Sequence, residues 1–513
     1  MKNNALVQEI KTLKDEIKTL KILIKHYEER FLLSQKKRFG VSSEKSLYDQ
    51  LTLDYDAVND ETPINHEPEK EPPLEVVKEH YRKKRTRKES LPKNLAVEEI
   101  ICELSTEERA CPKCNTQTQS FGNEYREELV IVPAKVMLRK FVLPTYICRD
   151  CADASDHTPI IKTKAPGAVI KGSFASPESV AYTAHQKFVM GVPLYRQEQE
   201  WQRKGVLLSR QTLANWLVLA SESWLTPLAD ELKRRLLAQT VAHADETTFQ
   251  VLKEENKTPQ SKSYLWCYRT SGDAAEPIVF AEYKPDRKAK NPAEFLTSFK
   301  GYLHTDGYEA YHKLSKDIVV VGCWAHVRRK WDSAVKIIRA ADRGGTLELK
   351  GKRYCDKMFE IERKLAELSS DEKYEARIKI LKPVMDEFFE WIDTIRTAPK
   401  SLLGKAVGYM FSQKVYLQNV LLNGRLELSN NRAERTIKPF VICRKNFLFA
   451  NTVRGANAAA TIFSLIETAK ETGLEPFEYL CYVFKTAPNV DMTNIENIRA
   501  LLPFEYKKSI NSL

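Results

Sequence analysis

Five short segments rich in β-branched and aromatic residues crowd into residues 238–324: "TVAHADETTFQVL", "SYLWCYRT", "PIVFAEY", "GYLHTD" and "IVVVGCW". Each reads as a strand. A helix candidate, "NPAEFLTSF", separates the third from the fourth, and a short helical piece, "GYEAYHKL", separates the fourth from the fifth. The order β-β-β-α-β-α-β describes an α/β layered fold with a mixed sheet. Residues 340–400 are charged and helical in pattern, so they read as a helical module inserted at about 338–425. "SNNRAERTIK" then opens a further helix, which Ser429 or Asn430 can cap and Pro439 can end or kink. This core spans 238–470, and a helical segment, 471–513, follows it.

The strand order resembles that of ribonuclease H-like folds. Asp245 is expected at the end of the first strand and Asp306 at the end of the fourth. In that arrangement the two strands are neighbours, and Glu434 comes from a helix packed on the sheet. Three converging carboxylates make an oxygen-rich site for Mg²⁺ or Mn²⁺. Two such ions can activate an attacking oxygen and stabilise a leaving one. The chain holds 69 acids, so spacing alone is weak evidence. An Asp followed by glycine, as at Asp306-Gly307, is also an ordinary turn. Glu246 should point away from Asp245 if the strand continues.

Upstream, Cys111, Cys114, Cys148 and Cys151 form two C-x2-C pairs. Four thiolates suit structural Zn²⁺, with no position left for an activated water. The region 93–165 therefore reads as a zinc ribbon; two unrelated cysteine pairs are the bland alternative. Residues 166–237 read as a helical domain resembling a helix-turn-helix. Its last helix opens at Ser209 and carries Leu213, Trp216 and Leu217 on an apolar face. Arg210, Gln211 and Asn215 then fall on the exposed face that could meet base edges. Small helical packing units share this pattern without touching DNA.

The N-terminal segment, 1–34, is a heptad: Leu6, Ile10, Leu13, Ile17, Leu20, Ile24, Tyr27 and Phe31 recur at spacings of four and three. Such a seam suits a coiled coil and a homodimer, or a helix packed on its own protein. Residues 35–92 read as an acidic then basic linker, ending in "YRKKRTRKES". Net charge is +12, which points to a polyanion such as DNA. No apolar run is long enough to span a bilayer, and the first residues lack an apolar secretory core. Paired cysteines of this spacing fit an intracellular, reducing compartment better than a disulfide framework.

Several blocks, in this order, resemble the insertion sequence 66 family of bacterial transposases: "FGVSSEKS", the two cysteine pairs, "PLYRQEQEWQRKGVLLSRQTLANW", "HADET", "LHTDGYEAY", "GCWAHVRRKW", "LSNNRAERTIKPFVICRKNFLFANT" and "IETAKETGLEPFEYL". The resemblance covers nearly the whole chain. It implies a DDE triad on a ribonuclease H-like core, mapping to Asp245, Asp306 and Glu434. It also implies zinc at Cys111, Cys114, Cys148 and Cys151. Asn115 stands where glycine is more usual, and Asn tolerates the left-handed backbone needed there. Cys323 and His326 resemble the C-x2-H pair of many DDE transposases and are expected as accessory residues beside the active site. Arg328, Arg329, Lys330, Arg432, Arg435, Lys438, Arg444 and Lys445 flank the acids and suit DNA phosphates or plain surface solubility. The implied activity is strand cleavage at transposon ends and strand transfer into target DNA, in the bacterial cytoplasm at the nucleoid, with accessory proteins of the element as possible partners. The alternative is a catalytically inactive DNA-binding regulator.

Overall fold

The computed structural model describes residues 135–147 and 160–511, with helical residues 12–17, 19–24, 26–28 and 30–31. The expected zinc ligands Cys111, Cys114, Cys148 and Cys151, and the basic run at 82–88, lie outside the described residues. In the N-terminal helix, Leu13, Ile17, Leu20, Ile24, Tyr27 and Phe31 are all exposed. Among the described residues, no helix is long and apolar enough to cross a membrane.

Strands β1 (Thr145–Ile147) and β2 (Ile160–Lys162) form an antiparallel pair. Three helices follow: α1 (Pro177–Phe188), α2 (Leu194–Arg203) and α3 (Arg210–Ala220). Ser209 caps α3 as its sequence suggests, its hydroxyl accepting from Thr212 N at 3.1 Å. Leu213, Trp216 and Leu217 are buried. Helix α4 (Thr226–Leu237) leads into the sheet.

The sheet takes β3 (Val241–Thr248), β5 (Tyr264–Thr270), β6 (Val279–Lys284), β7 (Gly301–His304) and β8 (Ile318–Val321), while β4 (Val251–Lys253) lies outside it. Strand order is β6-β5-β3-β7-β8. The first three strands form an antiparallel meander. The last two run parallel to β3. They are reached through the short helix α5 (Lys290–Phe295) and a 3₁₀ turn at Glu309–Lys313.

Helix α6 (Trp324–Lys336) leaves β8 and opens the helical insertion: α7 (Leu347–Lys364), α8 (Ser370–Ala376), α9 (Lys382–Asp393) and α10 (Leu402–Gln418). These helices build their own core around Trp324, Trp331, Met358, Phe388 and Met410. Arg377 is fully buried within it. Its guanidinium pairs with Glu362 and donates to the carbonyls of Asn423 at 3.0 Å and Leu426 at 2.5 Å. A buried arginine is tolerable only when so completely bonded. Here it shapes the segment that carries the chain back to the sheet.

The chain then enters α11 (Asn431–Phe447), β9 (Ala450–Thr452), which pairs parallel with β4, and α12 (Val453–Glu471). Helices α13 (Pro476–Thr486), α14 (Ile495–Ala500) and α15 (Pro503–Asn511) complete the fold. Of the two outcomes expected at Pro439, an end or a kink, the structure excludes the end: α11 continues through it. It forfeits one backbone hydrogen bond, but Ile437, Phe440, Val441 and Cys443 are buried around it. Phe440 packs edge-on against Phe249 and Phe463, with ring centroids 5.0 and 5.4 Å apart. Burying such rings contributes roughly 2–3 kcal/mol each, enough to hold the helix through the proline.

Both sheet edges are covered. On α12, Ser464 and Thr468 stand one turn apart and accept from the edge amides of Ala281 at 2.8 Å and Val279 at 3.0 Å. At the opposite edge, Asn419 donates to Val320 O at 2.8 Å and Gly322 N donates to Tyr416 O at 2.9 Å. Open edges pair with other strands, and these contacts block that.

Candidate active site

Asp245 is the fifth residue of β3, not its last. It nevertheless lies where pairing with β7 has stopped, because that register runs only from Val241 to His243. Strand β7 ends at His304, two residues before Asp306, so the chain is free to turn there. The turn needs Gly307: its φ is +91°, and a Cβ there would stand 2.8 Å from the Tyr409 hydroxyl. Asp306 Oδ1 accepts from Tyr308 N at 2.9 Å, and its carbonyl accepts from the Tyr409 hydroxyl at 2.8 Å. Tyr409 belongs to α10, so the insertion braces this aspartate.

Glu434 sits in the first turn of α11. Asn430, at the head of that helix, makes no side-chain cap, contrary to the reading of its position. Its Nδ2 instead donates to Ala244 O at 2.8 Å, and its Oδ1 lies 3.0 Å from His243 Nδ1. The helix start is thus fastened to β3 at the residue before Asp245. Trp324 N donates to Leu428 O at 3.0 Å and fastens the same segment to α6.

These contacts set Asp306 and Glu434 near enough to β3 for their charges to act on Asp245. Asp245 is 8% exposed. Burial, then the charges of Glu246, Asp306 and Glu434, raise its carboxyl well above the usual range. Glu246 is raised to about 7, first by burial and then by Asp306. It is turned to partners of its own: Tyr311 donates to Oε2 at 2.7 Å and Arg287 Nε to Oε1 at 2.6 Å. Arg287 and Arg329 offset part of this repulsion at Glu246 and Glu434, and a divalent cation would neutralise what remains around Asp245.

Cys323 and His326 also come to this site. His326 Nδ1 is 3.7 Å from Glu434 Oε1. Burial, with Arg329 and Lys330 nearby, lowers the His326 imidazole to about 3. Burial and Glu434 push the Cys323 thiol up to about 12.

The basic residues divide into two groups. Arg329 Nη2 donates to Glu434 Oε1 at 2.5 Å, Arg432 Nε to Glu427 at 2.7 Å and Arg328 Nε to Asp356 at 2.6 Å. Arg444 Nη1 donates to Thr248 Oγ1 at 2.5 Å. Arg435 and Lys445 are exposed, and Lys438 is half-buried. On α3, Arg210, Gln211 and Asn215 are exposed on one face, with Gln211 Nε2 donating to Asn215 Oδ1 at 3.1 Å.

Two residues of the site are missing from the sequence reading, His243 and His304, and Asn430 is read there only as a helix cap. The histidines carry a legible signal, since each precedes an aspartate by two residues, in "HAD" and "HTD".

The paired sheet, its helical insertion and the acids gathered beside β3 define a mixed α+β protein with a carboxylate-rich site. Residues 172–458 match the Transposase IS66 family, and 464–504 match the IS66 C-terminal element. Residues 108–152 match the zinc-finger binding domain of transposase IS66, and 26–100 match Transposase C of IS166 homeodomain. The chain is 30% identical over 431 residues to the uncharacterized protein y4jD of Sinorhizobium fredii (strain NBRC 101917 / NGR234), covering 81% of each chain. It is also 30% identical over 405 residues to y4qI of the same strain, covering 75% of this chain and 72% of that one. The chain therefore belongs to the IS66 family of transposases.

Proposed function

We propose that this protein cleaves DNA strands at transposon ends and transfers them into target DNA on a ribonuclease H-like core, with Asp245, Asp306 and Glu434 as its catalytic acids. What supports the reading is that the buried Asp245 lies just beyond the β3–β7 pairing, within range of the charges of both Asp306 and Glu434. The strand order, with its antiparallel meander and two parallel strands beyond β3, supports the same core. Asp245, Asp306 and Glu434 would hold Mg²⁺ or Mn²⁺, which supply activation of the attacking oxygen and stabilisation of the leaving oxygen.

The chain's own residues do the positioning. Asn430 holds Glu434 to β3, and Tyr409 with Gly307 sets the turn that presents Asp306. In the first reaction, water attacks a phosphodiester and the P–O bond to the 3′ oxygen breaks, leaving a 3′-hydroxyl. In the second, that hydroxyl loses its proton and its oxygen attacks a target phosphodiester; the target's own P–O bond to its 3′ oxygen breaks, and that oxygen takes up a proton and leaves as a new 3′-hydroxyl. Exposed Arg435 and Lys445 suit phosphate contacts near the acids, and Arg210, Gln211 and Asn215 suit base edges. Structural Zn²⁺ at Cys111, Cys114, Cys148 and Cys151, and dimerisation through the N-terminal helix, complete the reading.

The test is a cleavage assay on DNA bearing the element's ends, titrated with Mg²⁺ or Mn²⁺. Asp245→Asn, Asp306→Asn and Glu434→Gln should each bind end DNA but leave it uncut. Undiminished cleavage by any of the three would remove that residue from the triad.

A further inference from the structure

One group of donors has no part in the reaction just described. Cys323 is the N-cap of α6 and His326 lies three residues on, which places the two side chains over one turn of helix. With Glu434 they set a thiol sulfur, an imidazole nitrogen and a carboxylate oxygen within 4.8 Å of one another. His326 Nδ1 is shut off from solvent and has no hydrogen-bond partner. The Asn430 backbone N–H donates to Cys323 Sγ at 3.1 Å, a contact of the kind that supports a metal-bound thiolate.

We infer that Cys323, His326 and Glu434 form a second metal site, for a borderline-soft divalent ion such as Zn²⁺, and that it competes with the catalytic site for Glu434. The donor set decides the metal: sulfur and imidazole suit Zn²⁺, whereas Mg²⁺ takes oxygen alone. Zinc–ligand bonds of about 2.0–2.3 Å place donors roughly 3–4 Å apart, a spacing that His326 Nδ1 and Glu434 Oε1 already have at 3.7 Å. As the metal–sulfur bond forms, the Cys323 thiol releases its proton to solvent. Arg329, now on Glu434 Oε1, must yield that oxygen. Zn²⁺ held here draws Glu434 away from Asp245 and Asp306, so the site acts as a brake. That consequence rests on the catalytic reading of Glu434; the metal site itself does not.

The experiment uses the full chain without DNA and Co²⁺ as the probe. Bound equivalents are counted after dialysis, and thiolate-to-cobalt absorption is followed. Cys323→Ser and His326→Gln should each bind one equivalent fewer than wild type, with Cys111→Ser as a reference for the separate four-cysteine site. Glu434→Gln, which keeps the side-chain shape but removes the charged ligand oxygen, should weaken that equivalent at least about 10-fold, no less than loss of an outer-shell partner does. Unchanged stoichiometry and spectra in Cys323→Ser and His326→Gln would overturn the site. Unchanged affinity in Glu434→Gln would overturn the sharing of Glu434. Active Asp245→Asn protein would overturn the catalytic reading instead and leave the cobalt result standing.

Discussion

The rings of His243 and His304 stack with centroids 4.4 Å apart and planes 14° from parallel. They are register partners on β3 and β7, and each lies two residues before an acid of the cluster. Both are fully buried. Asn430 Nδ2 donates to Ala244 O, so its Oδ1 accepts and His243 carries its proton on Nδ1. His304 Nε2 accepts from Glu427 N at 3.2 Å. The stack locks the relative height of the two strands, and with it the placement of Asp245 against Asp306.

Removing the stack should therefore cost stability and alignment together. His243→Ala is expected to lower unfolding free energy by roughly 2–4 kcal/mol in denaturant titration, as a buried ring and a hydrogen bond are lost. His243→Phe keeps the stacking surface but leaves Asn430 Oδ1 unpaired, a loss of about 1–3 kcal/mol. A His243→Ala protein as stable as wild type would show that the stack carries no load.

The same histidine makes the fold sensitive to acid. Burial lowers the His243 imidazole from 6.5 to about 3. Below pH 6.5 the unfolded chain takes up a proton that the folded chain refuses, so stability falls as pH falls from 6.5 towards 3. The slope is at most about 1.4 kcal/mol per pH unit for each such group. Glu246 works in the other sense, being raised from 4.5 to about 7, so its contribution is lost as pH rises through that window. Comparing wild type with His243→Phe isolates the histidine: the stability difference should shrink between pH 6.5 and 4.

Asp245 should behave as an acid kept for chemistry at a cost to the fold. Asp245→Asn relieves the repulsion from Glu246, Asp306 and Glu434 while keeping an acceptor for Glu246 N, which donates at 2.9 Å. Without divalent ions at pH 7, the variant is expected to melt above wild type. Mg²⁺ should raise the melting temperature of wild type more at pH 8 than at pH 5.5, because protons compete for the same oxygens. Equal Mg²⁺ shifts at the two pH values would count against a carboxylate site.

Asn430 is expected to act through Glu434. Asn430→Asp loses the donor to Ala244 O and sets a negative charge beside a fully buried backbone. Cleavage rate should fall by roughly 10- to 100-fold, the amount expected when one buried hydrogen bond of about 1–3 kcal/mol is lost. End binding, measured by gel shift, should change little. Wild-type cleavage would mean that Glu434 is held in place by other contacts.

Arg377 tests the insertion. Arg377→Met strips donors from the buried carbonyls of Asn423 and Leu426 and leaves the half-buried Glu362 with Lys373, 2.8 Å away, as its remaining partner. A buried acceptor left unsatisfied costs about 1–3 kcal/mol, so the denaturant midpoint should fall. Glu362→Ala alone should cost less, since it leaves the carbonyl contacts of Arg377 in place.

Much of this was legible in the residues. Runs of β-branched and aromatic residues marked the five strand segments, because such side chains suit a pleated surface packed against neighbours. Ser209 and the apolar face of α3 followed from capping and helical spacing, which are local. Other features were decided only by tertiary contact. The head of α11 offers an N-cap by type, yet Asn430 spends its amide on β3, since a buried strand carbonyl must find a donor. Pro439 signals a helix end or a kink, and aromatic packing carries the helix through it. Stacking of His243 on His304 depends on a parallel register between strands separated by the rest of the meander. Local periodicity writes elements into a sequence. The sharing of one buried hydrogen bond or one ring face among distant elements is settled only when they pack, and here that sharing fastens the head of α11 and the end of β7 to β3.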